Sequence, residues 1–379
     1  MIGLIYSLVI LAYIVYIYLL LFIKTKKIYP VNKSPFTVII PCYNEGYVYF
    51  KKCIDSIIKA NGDKEIIIVN NNSTDVETLK ALGEYRWNSN VKIVFEPRQG
   101  KRFAHSKGLD YAKNDIVVFV DSDTIVNKNA FVELIKPFAD PEVGAVAGNV
   151  RLANRDKNLL TKSISAMFWT SGNIFRKSSS TMGYMQVIAG CLSAYKKDLL
   201  LKLEKDYVHQ KFMGKPCSIS DDRYLTQRIQ TRFKKKVEYA EDAICYTFMP
   251  ETYLKFWKTL ERWRRGVIRE AILIWKEPIK NAKLLVFDIE FNFIILNIMI
   301  VLKLFLLYDL IFNFSIMNLL FTFLWLILMA SLYSSYMIIH NPKEFPYKIT
   351  YSIMYEFFFV FTYFHALWNI RKQSNWVTR

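Results

Sequence analysis

The sequence predicts an α/β domain built on a mostly parallel sheet and held between apolar helical segments. Three observations carry this. Five short apolar runs alternate with helix-like stretches: FTVII (36–40), EIIIV (65–69), VKIVF (91–95), DIVVFV (115–120) and VGAVAGNV (143–150). The apolar residues outside this core gather at the two ends of the chain. Finally, four consecutive strand ends carry polar or charged clusters. Continuous runs of Val and Ile bounded by turn residues suit strands buried on both faces. Their alternation with helices implies crossover connections and parallel pairing. In such sheets ligands bind beyond the carboxyl ends of the strands.

The terminal segments read as membrane elements. Residues 3–23 carry no charge, and about 20 residues suffice to cross a bilayer. A signal peptide would show a basic leader, a shorter apolar run and a small-residue cleavage site, and none is present. Lys24, Lys26 and Lys27 follow the span, which places residue 24 onward in the cytosol by the positive-inside bias. Toward the other end lie apolar stretches at roughly 286–313, 316–339 and 349–369. The first link carries Asp309 and no Lys or Arg, so it belongs outside. The second, HNPKEFPYK (340–348), and the tail with Arg371, Lys372 and Arg379 belong inside. Both ends of 349–369 then face the cytosol, and the segment holds Glu356 and His365, which are costly in hydrocarbon. It is expected to be re-entrant or interfacial. Residues 161–177 and 252–276 mix aromatics with basic residues and read as helices lying in the headgroup plane. The expected organisation is a membrane helix over 1–27, a cytosolic domain over 28–250, an interface helix over 251–283 and a membrane region with a tail over 284–379. The plasma membrane is the expected location.

Composition narrows the function. The chain has 379 residues, 53% of them hydrophobic, and a formal net charge of +18. Lipid headgroups and phosphorylated ligands account for the basic excess, and no nucleic-acid recognition motif is present. The five cysteines form no C-x-x-C pair, and the four histidines are scattered, so no zinc site is indicated. The thiols are expected to be reduced. No Gly-x-Gly-x-x-Gly follows the first strand and no Gly-x-x-x-x-Gly-Lys occurs, which disfavours a dinucleotide-dependent dehydrogenase and a P-loop NTPase.

The strand ends supply the chemistry. They are Pro41–Glu45, Asn70–Asp75, Glu96–Arg102 and Asp121–Thr124. An Asp-x-Asp at the end of a buried strand sets two carboxylates near one point. Hard cations such as Mg²⁺ and Mn²⁺ take such oxygen ligands and bridge to phosphates. Basic groups at the neighbouring strand end suit the same diphosphate. Further on, Asp221-Asp222 precede the helix-like RYLTQRIQ. One of these carboxylates would face the site as a general base, and its neighbour would serve the helix start.

The ordered segments PCYNE, NNNSTD, QGKR, DSDT, GCLSAY, SDDR and ERW resemble the family 2 glycosyltransferases. The likeness is to the processive branch of hyaluronan synthases and rhizobial chitooligosaccharide synthases, over roughly residues 36–276, with NWVTR extending it. The resemblance implies a GT-A fold, Mg²⁺ or Mn²⁺, a UDP-sugar donor, a growing glycan acceptor and a lipid bilayer as partner. It also implies roles. Tyr43, Glu45 and Asp75 would hold uracil and ribose. Lys101 and Arg102 would contact the diphosphate. Asp121 would sit on the nucleotide and, with Asp123, at the metal. Gly190, Cys191 and Leu192 would line the acceptor end, and Asp222 would be the base. Arg262 and Trp263 would brace the diphosphate and the acceptor sugar. Trp376, Thr378 and Arg379 would close over the donor. Two departures stand out: Thr259 replaces the Gln of Gln-x-x-Arg-Trp, and Val377 replaces Gly in the tail. A processive β-polysaccharide synthase is therefore expected, with single transfer to a carrier such as polyprenyl phosphate as the alternative.

Overall fold

The computed structural model describes residues 2–22 and 27–372. Each of the five predicted runs is a strand: β1 (Phe36–Cys42), β2 (Lys64–Asn70), β3 (Val91–Phe95), β4 (Ile116–Val120) and, after the short β5 (Ile125–Val126), β6 (Val143–Leu152). β7 (Leu192–Lys196), the small hairpin β8 (Lys211–Phe212) and β9 (Lys215–Pro216), and β10 (Lys236–Thr247) follow. The main sheet has eight strands in the order β3-β2-β1-β4-β7-β6-β10-β5. β1, β2, β3 and β4 are mutually parallel, and β6 runs parallel to β10. β7 lies antiparallel between β4 and β6.

Alternate residues feed two apolar layers. Val38 and Ile40 enter one, with Phe50, Ile54 and Phe131, and Ile39 enters the other, with Ile67, Phe119 and Leu203. A strand of period two buried on both faces must be apolar throughout, which is why these runs are legible. β7 and β10 were not anticipated. β7 was read as a motif, and β10 mixes Glu, Asp and Lys with apolar residues and shifts register between Tyr239 and Ile244.

The helices are α1 (Ile2–Phe22), α2 (Tyr47–Lys59), α3 (Val76–Glu84), α4 (Lys101–Tyr111), α5 (Ala130–Ile135), α6 (Leu159–Thr170), α7 (Lys177–Thr181), α8 (Lys197–Val208), α9 (Asp221–Phe233) and α10 (Tyr253–Leu273). Then come α11 (Lys283–Phe312), α12 (Ile316–Tyr333), α13 (Ser335–His340), α14 (Phe345–Phe357) and α15 (Thr362–Trp368). α2 shows the amphipathic rule: Phe50, Cys53, Ile54 and Ile57 recur on one face and are buried. Lys283–Leu302 and Ile316–Tyr333 are long and apolar enough to cross a membrane by length and composition. Segment 349–369 is broken near residues 358–361 into α14 and α15, of 13 and 7 residues, each shorter than a simple crossing needs.

α10 packs one face against protein. Its buried face carries Phe256, Leu260, Arg264, Arg265, Ile268, Arg269 and Glu270, and so is turned to protein. Arg265 donates to the Lys372 carbonyl (2.6 Å), and Arg269 to those of Ile370 (2.8 Å) and Lys372 (2.7 Å). Arg265 and Arg269 thereby fasten the end of the described chain to α10.

Candidate active site

Because β1, β2, β3 and β4 are parallel, their carboxyl ends open on one side, and the loops after them meet there. Asn71, fully buried, joins three of these loops. Its backbone N–H donates to the Cys42 carbonyl (2.8 Å) and its side-chain amide to those of Glu96 (3.1 Å) and Arg98 (2.6 Å). Its side-chain oxygen accepts from the Gly100 N–H (2.7 Å). Ser122 donates to Glu45 at 2.9 Å, tying the β4 loop to the β1 loop. Gln99 donates to the Tyr43 hydroxyl at 3.2 Å. Tyr43, Glu45, Asp121 and Asp123 therefore share one crevice wall. Asp75 stands at its edge as the N-cap of α3, accepting from the N–H (2.9 Å) and hydroxyl (2.7 Å) of Thr78. Those bonds favour the charged carboxylate and hold it below the ordinary range.

The centre is a lysine between carboxylates. Lys101, the first residue of α4, lies 2.6 Å from Asp121 and 3.3 Å from Asp221. Burial opposes its charge, but Asp121 and Asp221 outweigh it and hold the ammonium well above its usual pKa. Gly190 closes over this cluster. A Cβ there would lie 3.1 Å from Lys101 Nζ, 3.8 Å from Asp121 Oδ2 and 3.9 Å from Asp222 Cβ. The loop bearing Gly190 is fastened to α9. Thr226 accepts from the Ile188 N–H (3.0 Å), and Gln230 bonds both the N–H and the carbonyl of Met185.

Asp221 and Asp222 open α9 as its first two residues, where the helix dipole favours negative charge. Ser220, not either aspartate, is the N-cap. The two carboxylates are driven apart. Burial alone would raise Asp221, but the positive charges of Lys101 and Arg102 pull it well below the carboxylate range. Asp222 is pushed up by burial and by the charge of Asp221. Such a split is the pattern expected when one carboxylate anchors a site and its neighbour moves protons. Burial also pushes His105 down to about 3, so behind Lys101 it is a neutral ring stacked on Phe119 at 3.9 Å.

Several expected roles change. Arg102 is only 4% exposed and donates to the carbonyls of Tyr207 (2.7 Å) and Ile219 (3.2 Å). Its guanidinium braces the backbone just before Asp221. Leu192 is fully buried as the first residue of β7, paired with Val120, so its side chain is core and not acceptor lining. Cys191 packs against the same core, and burial raises its thiol well above the usual range, so the acceptor end carries no thiolate. Arg262 and Trp263 are half-buried on α10, with Trp263 edge-on to Phe168 at 6.3 Å. Trp376, Thr378 and Arg379 lie outside the described residues.

Sequence reasoning missed the lock between α9 and α10. Arg228 pairs with Glu270 (2.8 Å) and Glu277 (3.3 Å), and Gln210 donates to Glu270 (2.7 Å). Arg228 and Glu270 are buried. Arg228 and Glu270 are 42 positions apart, so the pairing is visible only in three dimensions.

Among the described residues, no group of three or more His, Cys, Asp or Glu side chains converges to cage a metal. Two carboxylates at a strand end suit instead a cation that completes its shell with phosphate oxygens and water. Lys101 beside Asp121 shows that this point favours positive charge.

A parallel sheet with an Asp-x-Asp after β4, an inserted antiparallel β7 and a carboxylate pair opening α9 defines the GT-A class of sugar-transferring domains. The profile described as Glycosyl transferase family 2 matches residues 37–203, and the chain carries a glycosyltransferase domain of that family. It is 28% identical over 256 residues to an N-acetylglucosaminyltransferase of Neorhizobium galegae, covering 66% of this chain and 58% of that one. It is 30% identical over 241 residues to one of Rhizobium sp. (strain N33), covering 62% of this chain and 53% of that one. The chain thus spans little more than half the length of these two relatives. To the hyaluronan synthase of Streptococcus pyogenes it is 28% identical over 351 residues, covering 90% of this chain and 82% of that one. Among solved structures, the mannosyltransferase PcManGT from Pyrobaculum calidifontis, in complex with GDP-Man and Mn²⁺, matches with a TM-score of 0.65 and 20% identity. That match covers 93% of this chain and 96% of PcManGT and supports the GT-A fold.

Proposed function

We propose that this protein is a membrane-integrated, inverting glycosyltransferase that polymerises a β-linked, N-acetylglucosamine-containing polysaccharide from UDP-sugars and passes it across the membrane. The observation that carries this is the convergence of Lys101, Asp121, Gly190, Asp221 and Asp222 at one point of the crevice. Likeness to N-acetylglucosaminyltransferases and hyaluronan synthases supports the donor and product class.

The chemistry follows from the residues. Asp222 takes the proton of the acceptor hydroxyl as the glycosidic bond forms, and its raised pKa makes it a better base than an ordinary carboxylate. Attack from the face opposite the leaving diphosphate inverts the anomeric carbon. Lys101 supplies positive charge toward that diphosphate and is held in place by Asp121 and Asp221. Asp121 and Asp123 would hold Mg²⁺ or Mn²⁺, whose charge offsets that of the leaving diphosphate. Tyr43, Glu45 and Asp75 line the nucleoside side, and Trp263 offers a face for the acceptor sugar. Arg262 stands beside it for the diphosphate.

For location, the lysines after α1 and in 340–348 support a cytosolic catalytic domain at the plasma membrane. α14 and α15, too short to cross, support an interfacial or re-entrant segment over 349–369. A second reading, single transfer to a lipid-linked acceptor, rests on Thr259. Its hydroxyl is exposed and donates to the Lys255 carbonyl (3.0 Å), leaving no Gln-type acceptor contact at that position. The test is purified protein with Mg²⁺ or Mn²⁺ and a panel of UDP-sugars, scored by UDP release and by product length on a sizing gel. Polymer from UDP-N-acetylglucosamine supports the first reading. A single sugar on a lipid supports the second, and no UDP release with any donor contradicts both.

A further inference from the structure

We propose that Gly266 is a positioning residue: its missing side chain sets how closely α10 approaches the carboxylate pair, and thereby where the acceptor meets Asp222. This rests on reading Asp222 as the base and Trp263 as the acceptor wall.

A Cβ built on Gly266 would lie 1.7 Å from Ser220 Oγ, 3.0 Å from Ser220 Cβ and 4.0 Å from Ser220 Cα. Ser220 is the N-cap of α9, and its hydroxyl makes no capping bond. Turning that hydroxyl aside removes the first clash but not the second, because Cβ is fixed by the backbone. Two carbons at 3.0 Å are well inside the optimum of about 3.5–4.0 Å. Any side chain at 266 therefore parts the helices or displaces residues 219–222.

Neither side yields easily. The segment before Asp221 is held by Arg102 through the Ile219 carbonyl (3.2 Å). Behind it, the buried Arg228–Glu270 pair fixes α9 to α10 at 2.8 Å. On α10, Trp263 stands three residues before Gly266, on the same side of the helix. Asp221 and Asp222 directly follow Ser220. One contact thus spaces the acceptor wall from the base. Small errors in this spacing are expensive, since a misplacement of about 1 Å can cost on the order of 10²-fold in rate.

The contact also predicts its own suppressor. Ser220 has φ 61 and ψ 40, a left-handed conformation that glycine adopts without strain. Ser220→Gly removes both clashing atoms and leaves only the Cα at 4.0 Å, so the space that Gly266→Ala fills is returned from the other side.

The experiment uses the full chain in detergent with Mn²⁺ and UDP-N-acetylglucosamine. UDP release is measured with water alone and with added N,N′-diacetylchitobiose, alongside thermal unfolding. Gly266→Ala should lower kcat for transfer on the order of 10-fold, less than a full misplacement of about 1 Å would, with KM for the donor and hydrolysis by water far less affected. The double variant Ser220→Gly/Gly266→Ala should recover most of the transfer. If Gly266→Ala does not fold, the double variant decides: folded and active supports the proposal, unfolded or inactive overturns it. Normal transfer by Gly266→Ala overturns it, as does failure of the second substitution to rescue. An equal loss of hydrolysis and transfer also overturns it, by placing the fault at the donor. Asp222→Asn is run in parallel. If that variant transfers normally, the base assignment has failed; if it is dead while Gly266→Ala is normal, only the positioning role has failed.

Discussion

On the proposed donor side of the crevice, one buried residue, Asn71, ties together the loops after β1, β2 and β3 through backbone and side-chain bonds of 2.6–3.1 Å. On the acceptor side, the Gly190 loop hangs from α9 by Thr226 and Gln230, and α9 is in turn held to α10 by buried ions. The donor half is thus a product of strand order: four parallel strands deliver their loops to one place. The acceptor half is a product of helix packing, and its geometry depends on contacts between residues 40–60 positions apart. The first kind of site is robust to changes in distant residues. The second is exposed to them.

The largest expected effect lies on the donor side. Asp123→Asn should abolish UDP release in Mg²⁺ or Mn²⁺ while leaving the unfolding temperature near that of the parent, because the residue stands at a strand end outside the core. Turnover near the parent value would remove Asp123 from the metal site.

On the acceptor side a remote change should act through structure. Arg228→Ala leaves the buried Glu270 without its charged partner, while Glu277 keeps Arg232 at 2.6 Å, and breaking a buried pair in this way costs about 3–5 kcal/mol. It should lower the unfolding temperature and disturb transfer more than nucleotide binding. Unchanged stability would show that α9 and α10 are held by packing alone.

A smaller effect separates the two carboxylates. Asp222 must be ionised to accept a proton, and burial together with the negative charge of Asp221 raises its pKa. Transfer should therefore fall as pH drops through a value above the ordinary carboxylate range. In Asp221→Asn the like charge is gone, so this acid limb should move to lower pH. The same sign governs stability: a carboxyl with a raised native pKa favours the fold at low pH, and that contribution is lost as pH rises through the native value. An acid limb unmoved by Asp221→Asn would mean that another group controls it.

The contrast between the two halves also explains what could be read in the sequence. The donor-side strands were legible because burial on both faces demands continuous apolar runs, and their polar ends stood out against them. Arg102 was misplaced because adjacent helical residues point about 100° apart, so of two neighbouring cations after β3 one faces the crevice and the other the protein. Leu192 was misplaced because the segment after Gly190 is an internal strand, LSAYK, in which Ser193 and Lys196 interrupt the apolar run that marks most of the other strands. Ser220 and Gly266 are 46 positions apart, and nothing in RRGV announces a close approach. The bonds of Arg265 and Arg269 were not legible because composition cannot distinguish a lipid phosphate from the carbonyls of residues 370 and 372.

The central claim is that Asp222 takes the acceptor proton and does not hold the donor. The most direct test is Asp222→Asn, with UDP-N-acetylglucosamine affinity and transfer measured on the same preparation. The account predicts unchanged affinity and transfer reduced by about 10²–10⁴-fold. Weakened donor binding with unchanged turnover would contradict it and assign Asp222 to the nucleotide.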